Sequence, residues 1–239
     1  MNDFIQKIVI RKIILFLSTI FFYKKIRIKK FKNFKIILNI KEYTENAIYF
    51  FNYDKKIRSY LTKITSGNEN FIDIGAHIGF YSLFFSKILK KGKIFAFEPY
   101  KKNFDKLKKN IKKNNFKNIK IYNHAIGAHN GYANLVKGPF NNDGGNYISK
   151  EKNTKGEKVK IFKLDKIYTN YKKKLIIKID VEGFEKQVLK GMKTILQNTN
   201  SILIIETGNK KNELTKYLKK FNYVLIKEFG INSIFIKKI

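Results

Sequence analysis

Residues 71–82 read FIDIGAHIGFYS, an apolar run that reaches Asp73 and then turns through Gly75 and Gly79 into a second apolar run. Glycine adopts backbone angles that other residues avoid, and it lets a ligand approach the chain closely. An apolar run, a glycine turn and a second apolar run are typical of a strand that leads into a helix. The stretch therefore predicts a strand, a turn and a helix, with a ligand held against the turn.

The same alternation continues along the chain. Buried strands are predicted at 70–75, 93–99, 119–127, 174–183 and 201–207, helices at 79–92, 103–115, 184–196 and 212–221, and two terminal strands at 223–228 and 233–239. Alternating strands and helices predict an α/β fold with a mostly parallel sheet covered by helices on both faces. No helix separates the terminal strands, so we expect them to form an antiparallel hairpin at the sheet's C-terminal edge. Ligands bind such sheets at the carboxyl ends of the strands.

Composition limits the function classes. The chain has no cysteine, which excludes disulfides and thiolate metal sites and is typical of a reducing compartment; we predict a cytoplasmic location. The net charge of +33 would suit nucleic acid, but only three of the 51 basic residues are arginine. Arginine is the usual residue for gripping phosphates and bases, so a nucleic-acid partner is not favoured.

The first 65 residues differ from the rest. We predict residues 1–65 to be a basic extension of helices and strands packed on a single domain formed by 66–239. The apolar run 13–23 is shorter than the roughly 20 residues of a membrane span, and a basic stretch, 24–35, follows it. Two interpretations stay open for 13–35: a helix packed on the core with its lysines in solvent, or a peripheral contact with an anionic inner membrane face. Further along the extension, 47–53 is predicted as a strand and 55–64 as a helix.

The glycine turn differs from a dinucleotide-binding motif. It has the spacing G-x-x-x-G with Asp73 two residues earlier, instead of G-x-G-x-x-G. An acidic group there suits a cationic or hydroxyl-bearing ligand better than a pyrophosphate, and S-adenosylmethionine, with its ammonium and sulfonium, meets that description. One strand later, Glu98 is placed to accept hydrogen bonds from both hydroxyls of an adenosine ribose.

Five stretches resemble one known family in order and spacing. They are FIDIGAHIGFYS, IFAFEPYKKNFDKLKKNIKKNN, NHAIGAHNG, FKLDKI and LIIKIDVEGFEKQVLKG. Over roughly residues 68–207 they closely resemble the FkbM family of S-adenosylmethionine-dependent methyltransferases. The resemblance implies a class I methyltransferase (Rossmann-like) fold for residues 66–239. It also implies methyl transfer to a hydroxyl of a sugar, glycan precursor or natural product.

The resemblance also implies cofactor-binding residues. These are Asp73, Gly75, Ala76, His77 and Gly79 in the turn, Glu98 at the ribose, and the stretch 123–126, with His124 and Ala125, beside the adenine. One residue departs from the family pattern, because His77 stands where the family usually has asparagine. We expect cofactor binding to survive this change.

Charged residues gather at the end of the fourth predicted strand. Residues two apart on a strand share a face, so Lys178, Asp180 and, if the strand continues, Glu182 would point the same way. Asp180 or Glu182 could take the proton of an acceptor hydroxyl or hold neighbouring hydroxyls, and Lys178 could pair with them or contact an anionic acceptor. Glu185, on the following helix, is expected to be structural.

Several alternatives remain at this site. Two carboxylates could hold a divalent metal, but nothing else in the spacing requires one, so no metal is predicted. His124 and His129 are alternative bases. The long loop 137–158 is a candidate for selecting the acceptor.

Two other functions compete with O-methylation of a small-molecule or glycan acceptor. One is methylation of RNA, which the basic surface would serve. The other is a non-catalytic protein that keeps the fold and binds the cofactor.

Overall fold

The computed structural model describes residues 25–138, 142–149 and 154–238, together with 13, 14 and 17. Most of the apolar run 13–23 therefore lies outside the described residues, as do 139–141 and 150–153 of the predicted acceptor loop. None of the helices in the described ranges combines the length and the apolar character needed to cross a membrane.

Thirteen strands are found in the described part of the chain. They are β1 Ile26–Lys30, β2 Lys35–Asn39, β3 Asn70–Ile74, β4 Ile94–Phe97, β5 Ile119–Tyr122, β6 Ala125–Ile126, β7 Gly131–Val136, β8 Tyr147–Ile148, β9 Glu157–Phe162, β10 Leu175–Ile179, β11 Ser201–Glu206, β12 Tyr223–Phe229 and β13 Asn232–Lys237. Seven of them form the central sheet, in the order β12-β13-β11-β10-β3-β4-β5. The strands from β11 to β5 are parallel, and β12 and β13 form an antiparallel hairpin at one edge. This confirms the mostly parallel α/β sheet and its C-terminal edge hairpin.

Seven α-helices accompany the strands in the described ranges. They are α1 Tyr43–Phe50, α2 Lys55–Ile64, α3 Phe80–Ile88, α4 Lys101–Asn114, α5 Glu185–Lys190, α6 Lys193–Asn198 and α7 Lys211–Lys219. Successive side chains of a strand point to opposite faces, so each inner strand contributes side chains to a hydrophobic core on each face of the sheet. In β10, Ile176 belongs to the core that α1, α2, α3 and β2 share, whereas Ile177 belongs to the core that α5, α6 and α7 share. Both faces of the sheet are therefore covered, as the sequence predicts.

A second sheet, in the order β6-β9-β7-β8, has four strands. It follows β5 and begins at Ala125, directly after His124. The sequence does not predict this sheet, because it shows a single long strand at 119–127. The sheet positions residues 123–126 near the carboxyl end of β4.

Three local predictions are wrong. Residues 47–53 are not a strand, because 43–50 form α1, where Glu45 and Asn46 bind the backbone of Asn39 and Ile40 and fix the turn into the helix. The helix predicted at 184–196 breaks into α5 and α6 at Gly191, where a Cβ atom would lie 1.9 Å from the carbonyl oxygen of Gly127.

The third wrong prediction is the packed helix within 24–35. Residues 26–30 form β1, which pairs antiparallel with β2. Successive residues of β1 alternate between exposed and half-buried, which is the pattern of a strand at a surface.

The N-terminal segment contacts the core through an asparagine of α4. The backbone amide of Ile37 donates to Asn110 Oδ1 at 2.8 Å, and Asn110 Nδ2 donates to the carbonyl oxygen of Ile78 at 2.9 Å. Buried amide side chains need such partners to offset their desolvation. One side chain of α4 thus joins β2 to the glycine turn, while a domain boundary at 65/66 stays a prediction.

Candidate functional site

The glycine turn joins β3 to α3 and begins beside a buried acid. Asp73, the fourth residue of β3, is 1% exposed and accepts a hydrogen bond from Ser82 Oγ at 2.6 Å. Burial raises the pKa of Asp73, and the nearby Lys178 ammonium opposes that rise. The serine of the first turn of α3 thus fixes the carboxyl at the end of β3.

Gly75 and Gly79 leave space for neighbouring protein groups. Gly75 has φ +82°, and a Cβ atom there would lie 1.8 Å from the carbonyl oxygen of Asp180. Gly79 has φ +90° and caps α3, and a Cβ atom there would lie 2.4 Å from Leu107 Cδ1 of α4. Both positions therefore require glycine for conformation and for close packing. Close approach of a ligand to the turn stays a prediction.

Glu98 lies at the end of β4 with each carboxyl oxygen held by one backbone amide. Oε2 accepts from His77 N at 2.8 Å, and Oε1 accepts from Tyr100 N at 2.9 Å. Burial raises the pKa of Glu98 to about 7 in spite of these two amides. A carboxylate offers about four lone pairs, so two remain for further donors. The arrangement fits the two hydroxyls of a ribose.

His77 brings an unsatisfied polar atom to the same place. Its Nε2 is buried and has no hydrogen-bond partner in the part of the chain that the structure describes. Burial, with the nearby Lys106 charge, lowers the pKa of His77 to about 4, so the ring is neutral at pH 7. A buried polar atom without a partner costs free energy that a ligand can recover. The histidine therefore fits a polar ligand, although the family usually has asparagine there.

The stretch after β5 forms the third side of this end. Asn123 Nδ2 donates to the carbonyl oxygen of Glu98 at 2.9 Å. The His124 ring packs between Phe97 and Phe162, with centroid distances of 5.4 and 4.7 Å, and burial lowers the pKa of His124. Ala125 and His124 line the cavity described below, whereas His129 is exposed in the turn before β7. The geometry thus gives His124 a packing role and leaves His129 away from the chemistry.

A group of charged residues lies at the carboxyl ends of β10 and β11. Lys178 Nζ is 2.6 Å from Asp180 Oδ2 and 4.9 Å from the centre of the Tyr81 ring. Carboxyl oxygens of Asp180, Glu182 and Glu206 all lie within 4.8 Å of one another. The three residues predicted at this strand end, Lys178, Asp180 and Glu182, are therefore brought together.

The pKa values of these carboxyls diverge. Burial, together with a hydrogen bond to Asp180, raises the pKa of Glu206 well above its usual range. Burial alone would raise the pKa of Asp180, but Lys178 and the Glu206 hydrogen bond lower it below the usual range. Glu206 is thus the protonated partner and Asp180 the ionised one. Burial and the Asp180 charge raise the pKa of Glu182 to about 7.

Glu182 reaches the group from a turn. β10 ends at Ile179, and Glu182 and Gly183 both have positive φ, +49° and +97°. The Gly183 amide donates to Glu185 Oε1 at 2.7 Å, and Glu185 is 2% exposed. The expectation of a continued strand is therefore wrong, and the contact of Glu185 fits the structural role predicted for it.

One cavity of about 670 Å³ has two ends. The glycine turn and Glu98 line one end, and the charged residues at the ends of β10 and β11 line the other. Ligand sites commonly have volumes of about 300–1,000 Å³, so it is large enough for a cofactor with an acceptor beside it. The acceptor loop contributes Asn142, Asp143, Gly144, Asn146 and Ile148, and the remaining walls include Tyr43, Thr44, Ala47, Ile48, Asp54 and Ile231.

Two of the lining acids were missed by sequence reasoning. Glu206 ends the apolar run SILIIET, so an acid at the end of a buried strand was the available signal. Asp54 accepts a hydrogen bond from Tyr81 Oη at 2.8 Å, and burial raises the pKa of Asp54. No motif marks Asp54, because it comes from the N-terminal segment and reaches the site only through folding.

Comparison with known proteins gives a family match over most of this site. A family model described as the methyltransferase FkbM domain matches residues 73–225, which is more than half of the chain. The hexuronic acid methyltransferase AglP of Haloferax volcanii is 28% identical over 151 residues, covering 62% of this chain and 60% of AglP. The chain thus spans 60% of the length of that relative.

Solved structures agree with this match in fold. The methyltransferase FkbM from Methylobacillus flagellatus KT has a TM-score of 0.52 at 19% identity, covering 71% of this chain and 44% of that chain. A Streptococcus mutans protein solved in complex with SAH has a TM-score of 0.50 at 15% identity, covering 77% of this chain and 97% of that chain. The class I, Rossmann-like fold is therefore shared.

Proposed function

Because the chain belongs to the FkbM methyltransferase family, we propose that it transfers the methyl group of S-adenosylmethionine to a hydroxyl of a sugar, glycan precursor or natural product. The observation that carries this proposal is the contact between the two ends of the cavity. Gly75 of the glycine turn, where we place the cofactor, lies directly against the backbone of Asp180 at the end of β10. A cofactor held by the turn would therefore lie beside the carboxyls that can handle an acceptor.

At one end, the chain's own groups bind and orient the cofactor. Glu98 accepts the ribose hydroxyls with the lone pairs that His77 N and Tyr100 N leave free. His77 Nε2 offers a further polar contact, and Ala125 and Ile126 give an apolar surface for the adenine. These contacts are the support for S-adenosylmethionine as the cofactor.

At the other end, Glu182 is the proposed general base. When bound, S-adenosylmethionine supplies an electrophilic methyl group on a sulfonium. A base works best when its pKa lies near the working pH, and Glu182, with a pKa of about 7, meets that condition. Its carboxylate takes the proton of the acceptor hydroxyl as the oxygen attacks. Asp180 is too weakly basic for this step, because Lys178 and Glu206 stabilise its ionised form.

Lys178, Asp180 and Glu206 then serve to position the acceptor. Lys178 and Glu206 both hydrogen-bond the Asp180 carboxylate, which orients it to accept a further hydrogen bond from a neighbouring hydroxyl of the acceptor. Alignment of the reacting oxygen supplies much of the rate when the electrophile is already reactive.

The charge of the cavity favours an uncharged acceptor ring. Asp54, Asp180 and Glu182 line it and can carry negative charge, Glu206 is protonated, and Lys178 is paired with Asp180. Like charges in a poorly solvated site disfavour a carboxylate or phosphate beside them. This argues for a neutral sugar hydroxyl over a uronic acid, and it also argues against RNA as the acceptor.

The test is a methyl-transfer assay with radiolabelled S-adenosylmethionine and three acceptor groups: aryl hexosides, aryl hexuronides and a short RNA. We expect transfer to at least one hexoside, weaker transfer to its hexuronide, and a loss of rate in Glu182→Gln. Preferential transfer to RNA would replace the proposal with the RNA alternative. Binding of S-adenosylhomocysteine without transfer to any acceptor would favour the non-catalytic alternative.

A further inference from the structure

The hairpin of β1 and β2 presents apolar side chains to solvent. Ile26 and Ile28 are 49% and 48% exposed, although both lie in a strand. In the antiparallel register Ile28 is opposite Ile37, so these two side chains share one face of the hairpin. We call Ile26, Ile28 and Ile37 the outer hairpin face.

The other face of the hairpin is already committed to the protein. Ile36 and Leu38 are fully buried, and Lys29 Nζ donates to the carbonyl oxygens of Ile48 and Tyr49, each at 2.8 Å, at the end of α1. Side chains of a strand alternate between faces, so the contacts that bury Ile36 and Leu38 leave Ile26, Ile28 and Ile37 on the opposite face. The residues that the structure describes therefore leave Ile26 and Ile28 about half exposed, and the outer hairpin face is open to a partner.

Cations lie at the end of this face and on the helix beside it. Residues 25–41 contain seven basic and no acidic residues. Lys30 and Lys35 are exposed and pair at the end of the hairpin. On α4, exposed Lys109 and Lys113 each precede an asparagine that hydrogen-bonds the backbone of β2. Apolar residues flanked by lysines match an anionic lipid surface, where the isoleucines enter the interface and the lysines meet headgroups.

Other partners fit the face less well. Nucleic acid binding of this kind uses aromatic rings for base stacking and arginine for phosphates, whereas the outer hairpin face has only aliphatic side chains among lysines. A second copy of the chain would bring two strongly cationic faces together, and like charges repel.

We propose that the outer hairpin face and its lysines dock this protein on an anionic membrane surface. The docked hairpin would also orient the cavity, because Lys29 fixes the end of α1 and Ala47 and Ile48 of α1 line the cavity. This inference stands on residues outside the proposed chemistry and does not depend on the reaction.

The test is co-sedimentation of the full chain with vesicles of phosphatidylcholine alone and of phosphatidylcholine with one third phosphatidylglycerol. We expect binding only to the anionic vesicles, with a partition coefficient that falls as salt is added. Ile28→Ser is expected to lower this coefficient several-fold, and the double variant Lys30→Gln/Lys35→Gln by about tenfold or more.

Matched controls distinguish binding by the outer hairpin face from nonspecific adsorption of exposed apolar residues and from an effect of net charge. Ile226→Ser removes an exposed strand isoleucine elsewhere, and Lys216→Gln/Lys219→Gln removes two exposed lysines of α7; both are expected to bind like the unaltered protein. Circular dichroism melts confirm that each variant folds. Equal binding to both vesicles, or equal losses in the hairpin and control variants, would overturn the proposal. It would also be overturned if the hairpin variants lost binding to a short RNA while vesicle binding stayed unchanged.

Discussion

The turn at Gly75 and the carbonyl oxygen of Asp180 are packed so closely that a Cβ atom at position 75 would lie 1.8 Å from that oxygen. The contact joins the end of β3 to the end of β10 at the centre of the sheet. It explains why the chain needs glycine at this position even before a ligand binds. It also fixes the distance between the proposed cofactor turn and the proposed acceptor carboxyls.

Gly75→Ala should therefore be strongly destabilising. We expect a loss of about 3 kcal/mol in the free energy of unfolding, because the backbone must move to relieve the overlap. Gly208→Ala is the matched control, since Gly208 has φ +47° but nothing within 4 Å of an added Cβ atom, so only the backbone cost of about 1 kcal/mol applies. Urea unfolding measures both, and equal losses would show that the contact with Asp180 is unimportant.

Glu98→Gln should weaken cofactor binding without unfolding the protein. The new side-chain amide must place an N–H opposite either His77 N or Tyr100 N, so one of these two hydrogen bonds is lost. The side chain then no longer has the orientation in which it would accept the ribose hydroxyls. We expect the Kd for S-adenosylhomocysteine in calorimetry to rise by about 10- to 100-fold.

Asp165→Asn gives the control for Glu98→Gln. Asp165 also accepts two backbone amides, from Thr194 and Ile195, but it lies away from the cavity. It should lose stability while keeping its affinity for S-adenosylhomocysteine. Equal affinity losses in the two variants would remove Glu98 from the binding site.

Cofactor binding should release protons near pH 7. Burial raises the pKa of Glu98 to about 7 in the free protein, so the carboxyl is partly protonated there. Hydroxyl donors favour its ionised form, so binding lowers this pKa and the proton leaves. Calorimetric titration with S-adenosylhomocysteine in buffers of different ionisation enthalpy measures the release. Proton uptake, or an equal release in Glu98→Gln, would contradict this assignment.

The rate should depend on the ionisation of Glu182. Because a general base must be deprotonated, we expect kcat at saturating cofactor to fall as the pH drops below about 7, where the Glu182 carboxyl takes up a proton. Glu182→Gln should lower kcat by about 10²- to 10⁴-fold, remove this limb of the profile and leave the Kd for S-adenosylhomocysteine unchanged. An unchanged dependence of kcat on pH in Glu182→Gln would show that another group is the base.

Metal removal should leave the activity intact. Asp180, Glu182 and Glu206 could together offer three oxygen ligands, but Lys178 already neutralises Asp180 and Glu206 holds a proton. A cation would have to displace both. Assays after dialysis against EDTA are expected to give an unchanged rate, whereas a loss restored by Mg²⁺ or Mn²⁺ would assign these carboxyls to a metal.

The sequence could predict those residues of the candidate site that lie at the end of a strand or in the turn directly after it. Asp73, Gly75 and Glu98 each follow an apolar run that only a buried strand explains, and parallel neighbours place their ends together. Glu206 was missed because its approach to Asp180 depends on β11 lying next to β10, and strand order is a property of the whole sheet.

The N-terminal segment shows why the rest could not be predicted. The apolar run at 47–53 favours a strand by propensity, yet contacts of Glu45 and Asn46 with the backbone 39–40 select a helix. These contacts come from residues outside the run 47–53, and they override its preference for a strand. Asp54 then reaches Tyr81 only because that helix lies against the cavity.

Methyl transfer to a hydroxyl is best followed with S-adenosylmethionine that carries a ¹³C-labelled methyl group, using carbon NMR of the acceptor after incubation with aryl hexosides. We expect a new O-methyl signal on a hexoside, which forms about 10²- to 10⁴-fold more slowly with Glu182→Gln. Label recovered only on nitrogen, on RNA or on no acceptor, from a protein that binds S-adenosylhomocysteine, would contradict it.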